Sequence, residues 1–459
     1  MNLKDKRILV VGLGKSGVAS AQFLQARGAK VTVSDSKRPE QLANEIPGLL
    51  DRGIAVETGG HGERTFRGQD LIVVSPGVPA DSAPLVQARV QGVPIIGEIE
   101  LAAQFLQGRI VAITGSNGKT TTTTLTGEIF ATSGFPVAVG GNIGTPAISL
   151  VDQTTPKSFV VLEVSSFQLE TIQTFRPFMS AILNITPDHL DRHRTLEAYV
   201  DAKARIFENQ REGDFCVLSA DDSAANALTS RANCPVLHFS HRTEVPAGAF
   251  VRNGKILFRD NQSKREIFPI EILPVAEITL QGAHNLENVL AAVCMASLAG
   301  CPAEKIRDAV RAFKAVEHRL EFVAEIAGVR YFNDSKATNV DATIKALESF
   351  PANIHLILGG KDKGSDYSVL NSLLRERVKQ VYTIGAAAEK IAGQIHEAAQ
   401  IVPARTLENA VERASATAQQ GDIVLLAPAC ASFDQFQSYE HRGRVFKEAV
   451  RALGSVNRD

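Results

Sequence analysis

The chain has 459 residues, of which 44% are hydrophobic and 22% charged, and its formal net charge is −1 at pH 7. This length exceeds what one hydrophobic core supports, so about three domains are expected. The near-neutral charge offers no basic surface for nucleic acid or an anionic membrane, and five cysteines without a C-x-x-C pair argue against a disulfide framework or a zinc site. The charged N-terminus and the lack of an apolar run near eighteen residues predict a cytoplasmic protein.

The first glycine-rich loop, G-L-G-K-S-G at 12–17, follows a strand-like run ending at Val11 and precedes a segment with helical periodicity. Asp35 ends the next strand-like run, at the distance where the acid of a Rossmann fold contacts a ribose. Alone, this pattern suggests NAD. Because the same chain carries a second phosphate-binding loop, we favour another diphosphate ligand over a dinucleotide. Close helix–strand packing is the third interpretation.

Short apolar runs alternate with helical periodicity along the chain, which predicts mainly parallel sheets. One such series lies between Arg7 and Glu98, a second starts at Arg109 and a third at about Glu317. Within the second, 249–259 predicts a hairpin with an Asn-Gly turn, and 196–209 predicts a helix. We therefore predict an α/β protein of three domains, each with its own sheet: 1–97, 98–316 and 317–459.

The second glycine-rich loop, T-G-S-N-G-K-T-T at 114–121, lies between a strand-like and a helix-like segment. In this context backbone N–H groups and a helix N-terminus can cradle phosphates, Lys119 can reach the outer phosphates, and a threonine hydroxyl can hold Mg²⁺. Ile113 stands where the common P-loop has its first glycine, so the pattern is the shorter G-x-x-G-K-T. This loop predicts ATP binding.

Three further residues of the central region offer chemistry with more than one interpretation. Glu163 ends a strand-like run and could be a ligand of nucleotide-bound Mg²⁺ or an acid that faces water. His189 follows a strand-like run, where parallel sheets bind ligands. Lys203 lies among apolar residues of the predicted helix; it could be a lysine with a buried stem and an exposed head group, or a reactive amine, because burial disfavours the ammonium.

Several motifs together resemble the Mur ligases, the ATP-dependent amide ligases of peptidoglycan precursor synthesis. Besides 114–121, they are E-V-S-S-F-Q-L-E at 163–170, N-I-T-P-D-H-L-D-R-H at 184–193, G-A-H-N-L-E-N at 282–288, H-R-L-E at 318–321 and N-D-S-K-A-T-N at 333–339. They occur in the family's order along the whole chain. The loop at 12–17, S-S-F-Q at 165–168 and P-A-C-A-S-F-D-Q-F at 428–436 resemble the branch that adds D-glutamate to UDP-N-acetylmuramoyl-L-alanine.

The resemblance implies a Rossmann-like UDP-binding first domain, a central P-loop ATPase-type domain and a Rossmann-like C-terminal domain that binds the amino acid. It implies a ligase that activates the substrate carboxylate as an acyl phosphate and releases ADP and phosphate. The implied partners are the small molecules ATP, UDP-N-acetylmuramoyl-L-alanine and D-glutamate, with two Mg²⁺ ions, and the protein would be a monomer that inserts into no membrane.

The resemblance also implies a set of site residues for each ligand. ATP would contact Gly115, Asn117, Gly118, Lys119, Thr120, Thr121, Asn288, Arg319, Asp334 and Lys336. The UDP substrate would contact Lys15, Ser16, Asp35, Ser36, Gly77 and Asn142. D-Glutamate would contact Thr338, Lys363, Ser432 and Phe433, although Lys361 could exchange roles with Lys363. The catalytic residues would be Lys119, His189 and Lys203, and the metal ligands Thr120, Glu163, His189 and Lys203 as a carbamate.

Two other classes of protein remain open from the sequence. A nicotinamide oxidoreductase would use the loop at 12–17 and Asp35 but leaves Lys119 without a role. A regulatory P-loop ATPase would hydrolyse ATP without a second substrate. Within the ligases, the alternatives are a sibling that adds L-alanine or a diamino acid, and a folate polyglutamate ligase, which has no need of a UDP-binding first domain.

Overall fold

The computed structural model describes residues 1–260, 268–280, 282–314 and 317–456, and the fold is described for these residues. Within them the chain forms three β-sheets separated by helices and short 3-10 turns. The predicted α/β class is therefore confirmed. No helix in this part of the chain is both long and apolar enough to cross a membrane.

The first sheet is parallel and has the strand order β3-β2-β1-β4-β5 once its strands are numbered along the chain. These strands are β1 (Arg7–Val11), β2 (Lys30–Asp35), β3 (Ala55–Thr58), β4 (Leu71–Val74) and β5 (Ile95–Gly97). The accompanying helices are α1 (Lys15–Ala26), α2 (Ile46–Leu50), α3 (Glu63–Phe66), α4 (Ala83–Val90) and α5 (Glu98–Ala103). This order is that of the Rossmann fold, in which ligands bind beyond the carboxyl ends of the strands.

The second sheet has nine strands among the described residues. They are β6 (Arg109–Thr114), β7 (Val137–Gly141), β8 (Phe159–Glu163), β9 (Met179–Ile182), β10 (Phe215–Ser219), β11 (Val236–Ser240), β12 (Gly248–Arg252), β13 (Lys255–Arg259) and β14 (Ile270–Pro274). The spatial order is β14-β13-β12-β11-β10-β9-β6-β8-β7, with antiparallel pairing at β12-β13 and β13-β14. Strand β6, which leads into the second glycine loop, thus lies between β8 and β9.

The helices of this second region follow its strands. They are α6 (Lys119–Thr132), α7 (Ser166–Leu169), α8 (Leu190–His193), α9 (Leu196–Ala204), α10 (Ser223–Ala227), α11 (Ala283–Leu298) and α12 (Ala303–Ala312). The hairpin predicted at 249–259 is confirmed, because Asn253 and Gly254 have φ of +53° and +72°, as a two-residue primed turn requires. The helix predicted over 196–209 is shorter: it ends at Ala204 and tightens into a 3-10 turn over Arg205–Phe207.

The third sheet is parallel except for its first strand, which pairs antiparallel at the edge. Its strands are β15 (Glu321–Ile326), β16 (Val329–Asn333), β17 (Ile354–Gly359), β18 (Val378–Ile384), β19 (Ile401–Arg405) and β20 (Ile423–Leu426), in the order β15-β16-β20-β17-β18-β19. Its helices are α13 (Val340–Glu348), α14 (Asn371–Arg377), α15 (Ala388–Ile395), α16 (Leu407–Thr417) and α17 (Tyr439–Val456). Neighbouring residues of β17, Leu356 and Ile357, belong to two different apolar clusters, so both faces of this sheet are covered.

The chain divides into two compact units. The first comprises Met1–Ile185, Val200–Glu277 and Glu287–Arg311, and the second comprises Thr186–Tyr199, Ile278–Leu286 and Ala312–Asp459. The first two sheets thus belong to one unit and the third sheet to the other. The three-domain boundaries predicted from the sequence divide the chain more finely and stay a prediction.

Candidate active site

A cavity of about 340 Å³ lies at the carboxyl end of the first sheet. It is lined by all the first-domain residues that the sequence analysis assigns to the UDP substrate: Lys15, Ser16, Asp35, Ser36 and Gly77. Lys37 and His61 are among the other lining residues, and neither was predicted from the sequence. Lys37 was within reach of sequence reasoning because it lies two positions after Asp35, whereas His61 lies in a loop after β3 and carries no motif.

The first glycine loop is held in shape by Asp35. Its carboxylate accepts hydrogen bonds from the backbone N–H of Leu13 at 2.7 Å and of Lys37 at 2.8 Å. A Cβ at Gly17 would collide with the carbonyl oxygen of Gly12, so this glycine allows α1 to pack closely on the loop. Close helix–strand packing, one of the three interpretations left open by the sequence, therefore occurs at this loop.

The second glycine loop turns from β6 into α6. Gly118 precedes the helix with φ of +84°, and a Cβ there would collide with the side-chain amide of Asn288. The backbone N–H of Asn117 donates to the side-chain oxygen of Asn184 at 2.8 Å. The ammonium of Lys119 donates to the carbonyl oxygens of Gly115 at 2.7 Å and Ser116 at 2.8 Å. The lysine therefore lies over the loop, in contact with the backbone that would surround a phosphate.

Glu163 ends β8 and is 2% exposed, so the acid does not face water. One carboxylate oxygen accepts a hydrogen bond from the Thr120 hydroxyl at 2.7 Å, and the other accepts one from the side-chain amide of Asn142 at 2.8 Å. A hydroxyl and a carboxylate are the hard oxygen donors that Mg²⁺ prefers. The residues present therefore fit a magnesium ion at the start of α6.

Lys203 is buried together with its head group, at 1% exposure. Its amine donates to the carbonyl oxygen of Gly115 at 2.8 Å and lies 3.4 Å from the hydroxyl oxygen of Thr114. The interpretation as a lysine with an exposed head group is therefore wrong, because the amine contacts the phosphate loop. The sequence could not reveal this contact, since lysine and loop are 88 residues apart.

In the second unit, three side chains lie around the Asp188 carboxylate, and two of them are distant from it in sequence. His189 Nε2 lies 3.5 Å from its carboxylate, Lys363 Nζ lies 3.4 Å away, and the Asn339 amide donates to it at 3.0 Å. Asn339 also caps α13 by accepting from the N–H of Ala342. Asp188 is a functional candidate that the sequence analysis missed, although it stands inside a quoted motif beside His189.

Asp334 and Lys336, two predicted ATP contacts of the second unit, follow β16. Burial raises the pKa of Asp334 to about 6, and the positive charges of Arg319 and Lys336 act against this rise. Among the described residues, the buried Nε of Arg319 has no hydrogen-bond acceptor. Lys336 Nζ lies 5.1 Å from the ring centre of Tyr439 and 3.4 Å from its hydroxyl oxygen. Arg319 and Lys336 thus form a cationic cluster beside Asp334.

The predicted D-glutamate residues differ in exposure. Ser432 is buried at 2%, whereas Phe433 is 69% exposed and contributes little to the core. Lys361 is exposed, and its backbone pairs with Ala431. The ammonium of Lys363 instead lies beside Asp188, so of these two lysines the structure brings Lys363 to the cluster around Asp188.

The fully buried Arg442 connects two loops of this region. Its guanidinium donates to the backbone carbonyl oxygens of Ser335 at 2.8 Å and Cys430 at 3.1 Å. These carbonyls lie just before Lys336 and Ser432. Arg442 therefore fixes the segments that carry several of the predicted ATP and amino-acid contacts.

These observations define a class: an α/β protein with two glycine-rich loops at the carboxyl edges of its sheets, one of which contacts a buried carboxylate through Thr120. Family models match most of the chain. They are described as the MurD-like N-terminal domain of Mur ligases at residues 6–97, the Mur ligase middle domain at 113–296 and the Mur ligase glutamate ligase domain at 318–430. The chain belongs to the Mur ligase family.

Close relatives cover nearly the full length. A UDP-N-acetylmuramoylalanine–D-glutamate ligase of Koribacter versatilis is 64% identical over 99% of both chains, and one of Acidobacterium capsulatum is 60% identical over 98% of this chain and 97% of the relative. Among solved structures, a UDP-N-acetylmuramate-alanine ligase of Thermotoga maritima is 19% identical with a TM-score of 0.60, covering 98% of this chain and all of that one. At this identity, the structural likeness supports the fold alone.

Proposed function

We propose that this chain is an ATP-dependent ligase that joins D-glutamate to UDP-N-acetylmuramoyl-L-alanine, releasing ADP and phosphate in peptidoglycan precursor synthesis. The observation that carries the proposal is Glu163, whose carboxylate joins Thr120 of the phosphate loop to Asn142, a predicted substrate contact. The proposed nucleotide site and the proposed site for the reacting end of the acceptor are thereby connected through the carboxylate of Glu163. The names of the full-length relatives support the choice of substrates.

ATP is held by the phosphate loop and Lys119. The N–H groups of 115–121 and the Lys119 ammonium bind the β- and γ-phosphates, and Thr120 and Glu163 hold one Mg²⁺. When bound, the ion supplies positive charge to the phosphate oxygens. The buried Nε–H of Arg319, which has no acceptor in the described part of the chain, is available to an anion. The remaining proposed nucleotide contacts are Gly115, Asn117, Gly118, Thr121, Asn288, Asp334 and Lys336.

The chemical steps follow from the groups assigned. The alanine carboxylate of the acceptor attacks the γ-phosphorus of ATP, giving an acyl phosphate and ADP. The neutral amine of D-glutamate then attacks the acyl carbon, and the tetrahedral intermediate expels phosphate as the amide forms. The positive charge of Lys119 stabilises the negative charge on the phosphoryl group during transfer, and such electrostatic stabilisation is the main contribution to catalysis of phosphoryl transfer.

Lys203 and His189 complete the proposed catalytic set. The burial of Lys203 against Gly115 favours a neutral amine, which can combine with CO₂ to give a carbamate. The carbamate is proposed as a fixed negative charge near a second Mg²⁺, and His189 as a ligand of that ion. The Asp188 carboxylate lies 3.5 Å from Nε2 of His189 and is proposed to orient the imidazole ring.

The cavity of the first sheet is the proposed site of the UDP group. The loop at 12–17 surrounds the diphosphate, where Lys15 supplies a positive charge and Ser16 a hydroxyl. Asp35 and Ser36 are placed near the uracil, and Gly77 faces the same ligand. D-Glutamate is assigned to Lys363, Thr338, Ser432 and Phe433, with the ammonium of Lys363 pairing a carboxylate of the amino acid.

The test is phosphate release by the purified protein with ATP and UDP-N-acetylmuramoyl-L-alanine, comparing D-glutamate with L-glutamate, L-alanine and meso-diaminopimelate. We expect turnover with D-glutamate only, and none when either cosubstrate is left out. ATP hydrolysis without an acceptor would instead favour a regulatory ATPase. The monomeric state and the cytoplasmic location stay predictions.

A further inference from the structure

Asp221, His241 and Glu287 converge at the carboxyl edge of the second sheet. Asp221 follows β10, His241 follows β11 and Glu287 lies in the second turn of α11. His241 Nδ1 lies 2.9 Å from a carboxylate oxygen of Asp221 and 3.4 Å from one of Glu287. All three ligand atoms lie within 4.8 Å of one another. None of these residues has a role in the proposed reaction.

The spacing of these atoms fits a coordination sphere. Metal–nitrogen and metal–oxygen bonds near 2.0–2.2 Å place neighbouring ligand atoms about 3 to 3.5 Å apart. The two distances from Nδ1 to the carboxylates are of this size. Despite this proximity, Nδ1 is buried and makes no hydrogen bond of acceptable geometry within the described part of the chain. The ring nitrogen is therefore close to two carboxylates without donating to either.

The surrounding groups orient the cluster. The Ser240 hydroxyl donates to Asp221 at 2.6 Å, and the backbone N–H of His241 donates to it at 2.8 Å. The Asp221 side chain is 6% exposed, and no lysine or arginine nitrogen lies within 4.0 Å of its carboxylate in the described residues. Buried carboxylates in proteins are paired with a charged group or coordinate a metal, and here the neighbouring imidazole of His241 is itself a metal-ligating group. Supporting hydrogen bonds of this kind are typical of metal ligands.

We propose that Asp221, His241 and Glu287 form a site for a divalent cation of the zinc class. Imidazole nitrogens and carboxylate oxygens are both ligands of Zn²⁺, so the three side chains offer a donor set of the right chemistry. This site uses no cysteine, so the cysteine spacing that argues against a zinc site in the sequence does not bear on it. It would join the ends of β10 and β11 to α11, next to Asn288, and it does not depend on the proposed function.

The test is Zn²⁺ binding to the chelator-treated full-length protein, measured by equilibrium dialysis and metal analysis in excess Mg²⁺. The variants are His241→Ala and Glu287→Gln. His396→Ala is the matched control, because His396 lies beside a single glutamate, Glu397, and its side chain is 66% exposed. We expect one Zn²⁺ fewer per chain in His241→Ala than in the wild type and His396→Ala, and at least about tenfold weaker binding in Glu287→Gln.

Metal-dependent melting gives a second measurement. Zn²⁺ binding to the native state should raise the Tm of the wild type and of His396→Ala, and the rise should be smaller in both cluster variants. If His241→Ala and Glu287→Gln bind as much Zn²⁺ as the wild type, with the same affinity, the proposal is wrong. Direct contact of His241 with the two carboxylates, without a metal, would then explain the cluster. If His241→Ala does not fold, Glu287→Gln, which keeps the side-chain shape, decides alone.

Discussion

The amine of Lys203 donates a hydrogen bond to the carbonyl oxygen of Gly115 at 2.8 Å, which joins the end of α9 to the phosphate loop. A lysine buried to 1% exposure is costly unless its amine is paired, neutral or chemically modified. Carbamate formation would remove the positive charge and introduce a negative one beside the loop. The contact therefore supports the chemical role proposed for Lys203, which its apolar sequence neighbours do not suggest.

We expect Lys203→Ala to be nearly inactive, because the fixed negative charge proposed near the second Mg²⁺ is lost. A small carboxylate such as acetate should partly restore phosphate release by occupying the space of the missing carbamate. Turnover and thermal stability are measured together, with and without the added carboxylate. Near-normal activity of Lys203→Ala would show that the carbamate assignment is wrong. A lower Tm with unchanged turnover would mean that Lys203 has a structural role only.

Lys119→Ala should abolish ligation while UDP-substrate binding stays close to that of the wild type. Losing one preorganised cation at a phosphoryl group should raise the barrier by about 2 to 4 kcal/mol. Calorimetry with the UDP substrate and phosphate release with all substrates are the measurements. The matched variant is Lys15→Ala in the first glycine loop, which should show the reverse pattern: weakened UDP-substrate binding and little change in the KM for ATP. An equal loss of UDP-substrate affinity in both variants would count against separate sites.

Lys363→Met should raise the KM for D-glutamate strongly and leave those for ATP and the UDP substrate nearly unchanged. D-Glutamate carries two carboxylates, and a site built to pair a charge is left with unsatisfied groups when the partner is removed. Asp188 holds the Lys363 ammonium in place, whereas Lys361 is exposed and pairs through its backbone with Ala431. Steady-state kinetics on both variants provide the comparison.

Lys361→Met is the control for this substitution and should behave as the wild type. A D-glutamate defect in Lys361→Met but not in Lys363→Met would mean that the lysines exchange roles, while the reaction itself could stand. If neither variant is affected, the amino-acid pocket lies elsewhere.

Much of the fold and both glycine loops could be predicted from the sequence, because each depends on residues that are neighbours in the chain. Glycine spacing after an apolar run fixes the turn at 115–118, and Asn253-Gly254 fixes a hairpin. Side-chain convergence is different, since it depends on the strand order β9-β6-β8, which places β6 between two strands that follow it in the chain. For this reason the sequence did not decide between the two interpretations of Glu163 or between those of Lys203. It also missed Asp188, whose partner Lys363 is 175 residues away.

Glu98 offers a test of stability that is independent of the reaction. This carboxyl at the start of α5 is 1% exposed, and it accepts a hydrogen bond from the backbone N–H of Ile148 at 2.7 Å. Burial raises its pKa from 4.5 to about 7, although the N–H of Ile148 acts against the rise. The native state therefore holds the proton more tightly than the unfolded chain does.

The stabilisation contributed by Glu98 decreases as the pH rises. The contribution of the protonated Glu98 to stability is fully present below pH 4.5 and is lost as the pH rises to about 7, a change of about 3 kcal/mol. We expect Glu98→Gln to lose less stability than the wild type between pH 5 and pH 8, because glutamine has no proton to release. Urea unfolding across this range measures the difference, and Glu40→Gln at an exposed position should track the wild type. Parallel stability curves for the wild type and Glu98→Gln would show that Glu98 ionises at its ordinary pKa in the native protein.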